Sequence, residues 1–182
     1  HRDLHSFPTR RSSDLAKAGD TDAFLARIAP DFASLIFSTF VGGLNRDTID
    51  GLAVDGSGMI YVAGKTVSAN FPTVSPIQVS SGGNLDAFLM RFPNGVGAPD
   101  FSSLLGGASG DGAMAIDVSA ARTAWLAGVA GGLDFPQVTP VTTVAETGAH
   151  AFLAGVSFAT APAPVVDRKS TRLNSSPVSQ SR

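Results

Sequence analysis

Gly51–Thr66, GLAVDGSGMIYVAGKT, is the stretch from which the fold is read. Two short apolar runs, Leu52–Val54 and Met59–Ala63, flank Asp55-Gly56-Ser57-Gly58. Glycine reaches positive φ at little cost, and short Asp and Ser side chains bond nearby amides. The tetrapeptide therefore predicts a tight turn, and the runs beside it predict a β-hairpin.

Shifted by 64 residues, the chain meets itself without a gap. Asp22-Ala23-Phe24-Leu25 becomes Asp86-Ala87-Phe88-Leu89, and Phe37-Ser38 becomes Phe101-Ser102. Gly42-Gly43 and Asp47 become Gly106-Gly107 and Asp111. Val54, Ala63-Gly64, Phe71-Pro72 and Pro76 recur as Val118, Ala127-Gly128, Phe135-Pro136 and Pro140. Between residues 22–85 and 86–149, 17 of 64 positions are identical, and all but Asp22, Arg27, Ser38 and Asp47 fall on Gly, Pro, aromatic and apolar sites. A third copy opens at His150-Ala151-Phe152-Leu153. Such periodicity is the signature of stacked structural units.

The run D-A-F-L-x-R, then F-S-x-x-x-G-G, then A-V-D-x-S-G-x-x-Y-V-A-G, then F-P-T resembles the bacterial SBBP repeat, a β-propeller repeat. The resemblance covers residues 22–158; the second copy departs from it where Ser119-Ala120-Ala121-Arg122 replaces the Gly-containing turn. It implies a segment of a large bacterial protein, surface-associated or secreted, and an extracellular or cell-surface location. The fold class expected is all-β: propeller blades of four-stranded antiparallel sheets, about two and a quarter of them, which cannot close alone because closed propellers need roughly four to eight. Apolar blade faces left uncovered bind partners or aggregate. The isolated piece is thus expected to be marginal, with neighbouring blades of the parent chain as its first partners.

Strands are expected at residues 22–28, 35–41, 52–54 and 59–63, and in the second copy at 87–92, 101–105, 115–118 and 123–127, with another beginning at Ala151–Phe158. Leu44–Asp50 is expected to be a polar, acidic loop, and Lys65–Asn84 a long irregular one.

Residues 1–15 and 167–182 stand outside the pattern and hold 7 of the 13 Lys and Arg. Back-translated, Asp167–Ser170 can be written GAT CGG AAG AGC, and His5–Asp14 can be written CAC TCT TTC CCT ACA CGA CGC TCT TCC GAT; both look like sequencing-adapter DNA. They are expected to be non-native and are set apart from the fold. The natural part is expected to be residues 16–166, with copies at 22–85 and 86–149 and the start of a third at 150–166, cut from a longer gene.

Residues 16–166 carry 6 basic and 12 acidic side chains, a net of −6. That balance speaks against a nucleic-acid partner, which needs a basic footprint. No Cys is present, so thiolate metal sites and Cys nucleophiles are excluded. Uncharged apolar stretches are short or interrupted by Gly and Pro, against the roughly 20 residues a membrane span requires. Neither a P-loop nor a dinucleotide-binding glycine pattern occurs.

No catalytic or cofactor-binding residue is assigned. His150 stands where the other copies have Asp22 and Asp86, and reads as a polar cap at a strand start. Asp47 and Asp111 occupy matching Gly-rich loops, where carboxylates and flexible carbonyls can ligate calcium; they are the only metal candidates, and turn chemistry is the simpler reading because neither loop has an Asp-x-Asp-x-Asp ladder or a closing Glu. Tyr61 and Trp125 fall at equivalent strand positions and read as packing between blades, and each Phe-Pro pair as a loop anchor. The expectation is a non-catalytic scaffold or interaction segment. One alternative is a calcium- or glycan-binding adhesive repeat. The other is part of a propeller enzyme acting on carbohydrate, for which Asp50, Asp117 and Asp134, which break the repeat, are the available acids. A protein or glycan partner fits the first two readings.

Overall fold

In the computed structural model, residues 19–137 and 148–158 are described, and they contain nine strands and no helix. The strands are β1 (Ala23–Ile28), β2 (Leu35–Val41), β3 (Asp47–Val54), β4 (Ile60–Thr66), β5 (Asp86–Phe92), β6 (Phe101–Leu105), β7 (Gly112–Val118), β8 (Thr123–Ala130) and β9 (His150–Ser157). They form three antiparallel sheets, ordered β1-β2, β3-β4-β5-β6 and β7-β8-β9. Among the described residues the three sheets are fewer than a closed propeller needs, and they do not close a ring. Residues 1–15 and 167–182 lie outside the described residues, as do Pro140 and residues 159–166 of the third copy.

Pairing sets the phase of the repeat. The complete sheet takes β3 and β4 from the first sequence copy and β5 and β6 from the second. One blade therefore runs from Asp47 to Leu105, and the Gly42-Gly43 loop is the crossing from one blade to the next. A repeat has no intrinsic starting point; hydrogen bonds between strands choose it.

Leu44–Asp50 is a loop only as far as Arg46. From Asp47 the chain is already strand, and Asp47 lies opposite Thr66 on β4. The acidic composition hides this strand because Asp47 turns its carboxylate into its own loop rather than to solvent. The register of β3 shifts between Ile49 and Gly51, and that of β7 at the equivalent Ala113/Ala115. At both bulges a glycine of the next strand comes close: a Cβ on Gly64 would overlap the Thr48 carbonyl, and one on Gly128 the Gly112 carbonyl. A bulge beside a glycine is a recurrent way of bending a strand.

Asp55–Gly58 closes the hairpin as read. The Asp55 amide donates to the Met59 carbonyl at 3.0 Å and the Gly58 amide to the Asp55 carbonyl at 2.9 Å, with Gly58 at φ 82°. The second hairpin keeps the same geometry without glycine: Ser119 N to Thr123 O and Arg122 N to Ser119 O are both 2.9 Å. Arg122 takes the Gly58 place at φ 59°, a left-handed conformation unfavourable for a residue with a Cβ.

Two apolar cores lie between the sheets. Leu25 and Val41 of the first sheet meet Val62, Phe88, Met90, Phe92 and Leu104 of the second. Tyr61, Ala63, Leu89 and Phe101 on the opposite face of the second sheet meet Ala113, Ala124 and Leu126 of the third. The inner strands β4 and β5 are buried on both faces, which explains their nearly continuous apolar sequences. Leu52 and Val54 are each 53 % exposed, because among the described residues the first sheet sets two strands against them. Their counterparts Ile116 and Val118 face a complete sheet and pack into the second core.

The inter-blade loops and the hairpin cleft

The two metal candidates occupy the crossings between sheets. Asp47 opens β3 at 1 % exposure, and Asp111, equally buried, precedes β7. Asp47 Oδ2 accepts the Gly43 amide at 2.7 Å and the Ser68 hydroxyl at 2.9 Å. Asp111 Oδ2 accepts the Gly107 amide, also at 2.7 Å. In both copies a buried carboxylate thus bonds the amide four residues before it and fastens the G-G-x-x-x-D crossing. Bonds from amides to a charged acceptor are stronger than neutral ones.

The second oxygens differ. Asp111 Oδ1 accepts the Gly131 amide at 2.9 Å. At the equivalent place in the first copy, the Val67 amide donates instead to the Arg46 carbonyl at 3.1 Å. Asp47 Oδ1 is left buried without a hydrogen-bond partner.

The sequence reading missed the second carboxylate at each crossing. A Cβ built on Gly42 would sit 2.7 Å from Asp47 Oδ2 and 2.8 Å from Asp22 Oδ1. On Gly106 it would sit 2.9 Å from Asp111 Oδ2 and closer still to Asp86 Oδ1. Asp22 and Asp86 share the 64-residue spacing of Asp47, Asp111 and the glycines, and that shared spacing was the available signal. Asp86 is fully buried and accepts the Ser81 hydroxyl. No group of three or more His, Asp or Glu side chains able to hold a metal occurs among the described residues.

The acids that break the repeat are dispersed. Asp50 pairs with Lys65 at 3.3 Å, Asp117 accepts the neighbouring Val118 amide at 2.8 Å, and Asp134 accepts the Ala108 amide at 2.6 Å. His150 opens β9 opposite Ala130.

The repeated aromatic positions are packing positions in the first copy and divide in the second. Tyr61 is fully buried, its ring 5.5 Å from Phe158, whereas Trp125 is 45 % exposed on the outer face of the third sheet. The Phe-Pro pairs anchor their loops: Phe71 packs on Phe88 at 4.6 Å and Phe135 on Phe152 at 4.5 Å.

A cleft of about 430 Å³ opens between the two hairpin turns, lined by Val54, Asp55 and Ser57 on one side and Val118, Ser119 and Arg122 on the other. Asp55 Oδ1 accepts the Ser57 hydroxyl and amide and the Met59 amide, and Oδ2 accepts the Tyr61 hydroxyl. Burial pulls the Asp55 carboxyl upward, but these bonds together outweigh it and hold the group below the ordinary carboxylate value. Burial first, then the Asp55 carboxylate, pushes the Tyr61 phenol up. Arg91 lies opposite Tyr61 on the neighbouring strand, held by Asp100 at 2.8 Å and set over the Phe158 ring at 4.3 Å.

Residues 36–72 match the family model described as SBBP, beta-propeller repeat. The match runs from β2 through β3 and β4 to the Phe71-Pro72 anchor, and so includes the first crossing and the first hairpin. No curated protein matches the chain. No helix among the described residues is long and apolar enough to cross a membrane.

Proposed function

We propose, from a chain that carries the SBBP β-propeller repeat over residues 36–72, that it is a non-catalytic scaffold and interaction segment of a larger bacterial protein, secreted or displayed on the cell surface. One observation carries this reading. The carboxylates buried at the crossings recur at the repeat spacing and bond the chain's own loops, Asp47 to Gly43 and Ser68, Asp111 to Gly107 and Gly131. Groups that build every blade alike serve the blade rather than one reaction centre, while propellers as a class host many functions. A protein or glycan partner would meet the segment at the cleft between successive hairpin turns, where Arg122 and the Ser57 and Ser119 hydroxyls offer polar contacts. An antibody raised against the described region should label intact cells of the source bacterium or detect secreted antigen. Antigen confined to the cytoplasmic fraction would overturn the location.

The calcium-binding alternative has one observation in its favour, the buried and unpartnered Asp47 Oδ1. Thermal unfolding of the chain with calcium and with a chelator separates the two. The scaffold reading expects the same midpoint in both, since a ligand that binds only the folded state raises stability with its concentration. A calcium-dependent rise abolished by Asp47→Asn would favour the alternative.

A further inference from the structure

Two side chains at the junction of the first and second sheets depart from the repeat together. In the second copy, Arg91 is held by Asp100, Nε to Oδ1 at 2.8 Å and Nη2 to Oδ2 at 2.9 Å. Its first-copy counterpart is Arg27, but Ile36 stands there in the place of Asp100. Without that acid, Arg27 reaches across to the second sheet and donates through Nη1 to Oδ1 of Asn94. Asn94 itself stands where the first copy has Pro30, and Gly95 follows it. Groups that recur build the blade; this pair is peculiar to one junction.

Asn94 and Gly95 are exposed at the centre of a tight turn. The Val96 amide donates to the Pro93 carbonyl at 3.1 Å, with Gly95 at φ 77°, a conformation that favours glycine. The Asn94 carboxamide is fixed at both ends: Oδ1 accepts from Arg27, and Nδ2 donates to the Ser57 carbonyl at 3.3 Å. The Gly95 amide donates no hydrogen bond among the described residues. Nothing lies within 4 Å of where a Gly95 Cβ would be. That amide is open to deprotonation by solvent, and no side chain obstructs its approach to the carboxamide before it.

We propose that Asn94-Gly95 is a self-modification site, at which the chain closes a succinimide with the help of the Arg27 guanidinium. The Gly95 nitrogen gives its proton to hydroxide and attacks Asn94 Cγ. As the N–Cγ bond forms, the carbonyl electron pair moves onto Oδ1, where Arg27 already donates. A donor aimed at the oxygen on which charge develops lowers the barrier. The pair then returns, the Cγ–Nδ2 bond breaks, and the nitrogen takes a proton from water and leaves as ammonia. Water opens the ring at either carbonyl, giving aspartate or isoaspartate at position 94. Either product can pair with Arg27 but has no donor for the Ser57 carbonyl, so the tie to the first hairpin is given up. Asn45, Asn70 and Asn84 precede Arg46, Phe71 and Leu85, whose side chains hinder the same attack.

Tryptic mass spectrometry of the full chain, held in mildly alkaline buffer, tests this. Cleavage after Arg91 and Arg122 releases a peptide whose one asparagine is Asn94. It should lose ammonia and then gain one mass unit, resolving into aspartate and isoaspartate forms, before the peptides holding Asn45, Asn70 and Asn84 change. Arg27→Met should slow this by about tenfold, less than the loss of a buried oxyanion donor costs, because the pair is exposed. In urea the two chains should react at one rate, since the Arg27 contact exists only in the fold. An unstable variant cannot imitate the result: unfolding abolishes the difference rather than slowing the reaction. Conversion at another asparagine first would overturn the site. Equal native rates in parent and Arg27→Met, or a difference that persists in urea, would overturn the role of Arg27.

Discussion

Asn substitution at Asp47 and Asp111 probes two residues that the repeat makes equivalent and the structure makes different. Asp111 uses both oxygens, accepting Gly107 N–H at 2.7 Å and Gly131 N–H at 2.9 Å. Asn keeps one acceptor oxygen and turns its NH2 group toward a buried amide N–H. It thus loses one charge-assisted bond, about 1.5–3 kcal/mol, and leaves a donor unsatisfied. Asp47 has both of its bonds on Oδ2, from Gly43 at 2.7 Å and Ser68 at 2.9 Å. An Asn oxygen can hold that place while the NH2 occupies the unpartnered Oδ1 side. Only charge assistance is lost there, about 1 kcal/mol. Asp111→Asn should therefore lower stability by about 1–2 kcal/mol more than Asp47→Asn. Urea titration followed by circular dichroism measures this as a difference in midpoint at constant slope. Equal losses, or a larger loss at Asp47, would refute the account of the second oxygen.

Three further comparisons use the same assay. Phe88→Ala should cost about 3–5 kcal/mol, the usual range for a buried aromatic, while Phe24→Ala at the equivalent but 69 % exposed position should cost the folded monomer far less; similar losses at both would contradict the exposure of the first sheet. Arg122→Gly should raise stability by up to about 1 kcal/mol by relieving the φ of 59°; a fall in midpoint would mean that the Arg122 side chain contributes more to the turn than its backbone conformation costs. Asp55 is held below its ordinary value of 3.8, so its contribution is present above that pH and is lost as pH falls through the lower folded value. Asp55→Asn should accordingly weaken the fold at pH near neutrality and flatten the loss of stability in acid; an unchanged acid limb would show that the turn bonds do not favour the charged form.

Read along the chain, the sequence determined the unit and its local chemistry. The 64-residue identity, the Asp55–Gly58 turn, the Phe-Pro anchors and the span of β2 and β6 follow from short-range preferences: glycine and Asx turns, β-branched and aromatic runs, proline. These act within a few residues, so they are legible without partners. The second hairpin was less legible, because Ser119–Arg122 lacks the glycines of the first turn, and its closing bonds emerge only in the structure. Tertiary structure decided the rest. It set the blade boundary at Asp47, since only pairing across the Val67–Leu85 connection can tell which half-copies share a sheet. It converted part of an acidic loop into β3, because burial of the Asp47 carboxylate against its own loop is a long-range event. It also brought Asp22 to Asp47 and Asp86 to Asp111, and made Tyr61 core and Trp125 surface from one repeat position. A repeated residue has one local preference, but its burial depends on whether a neighbouring sheet stands against it.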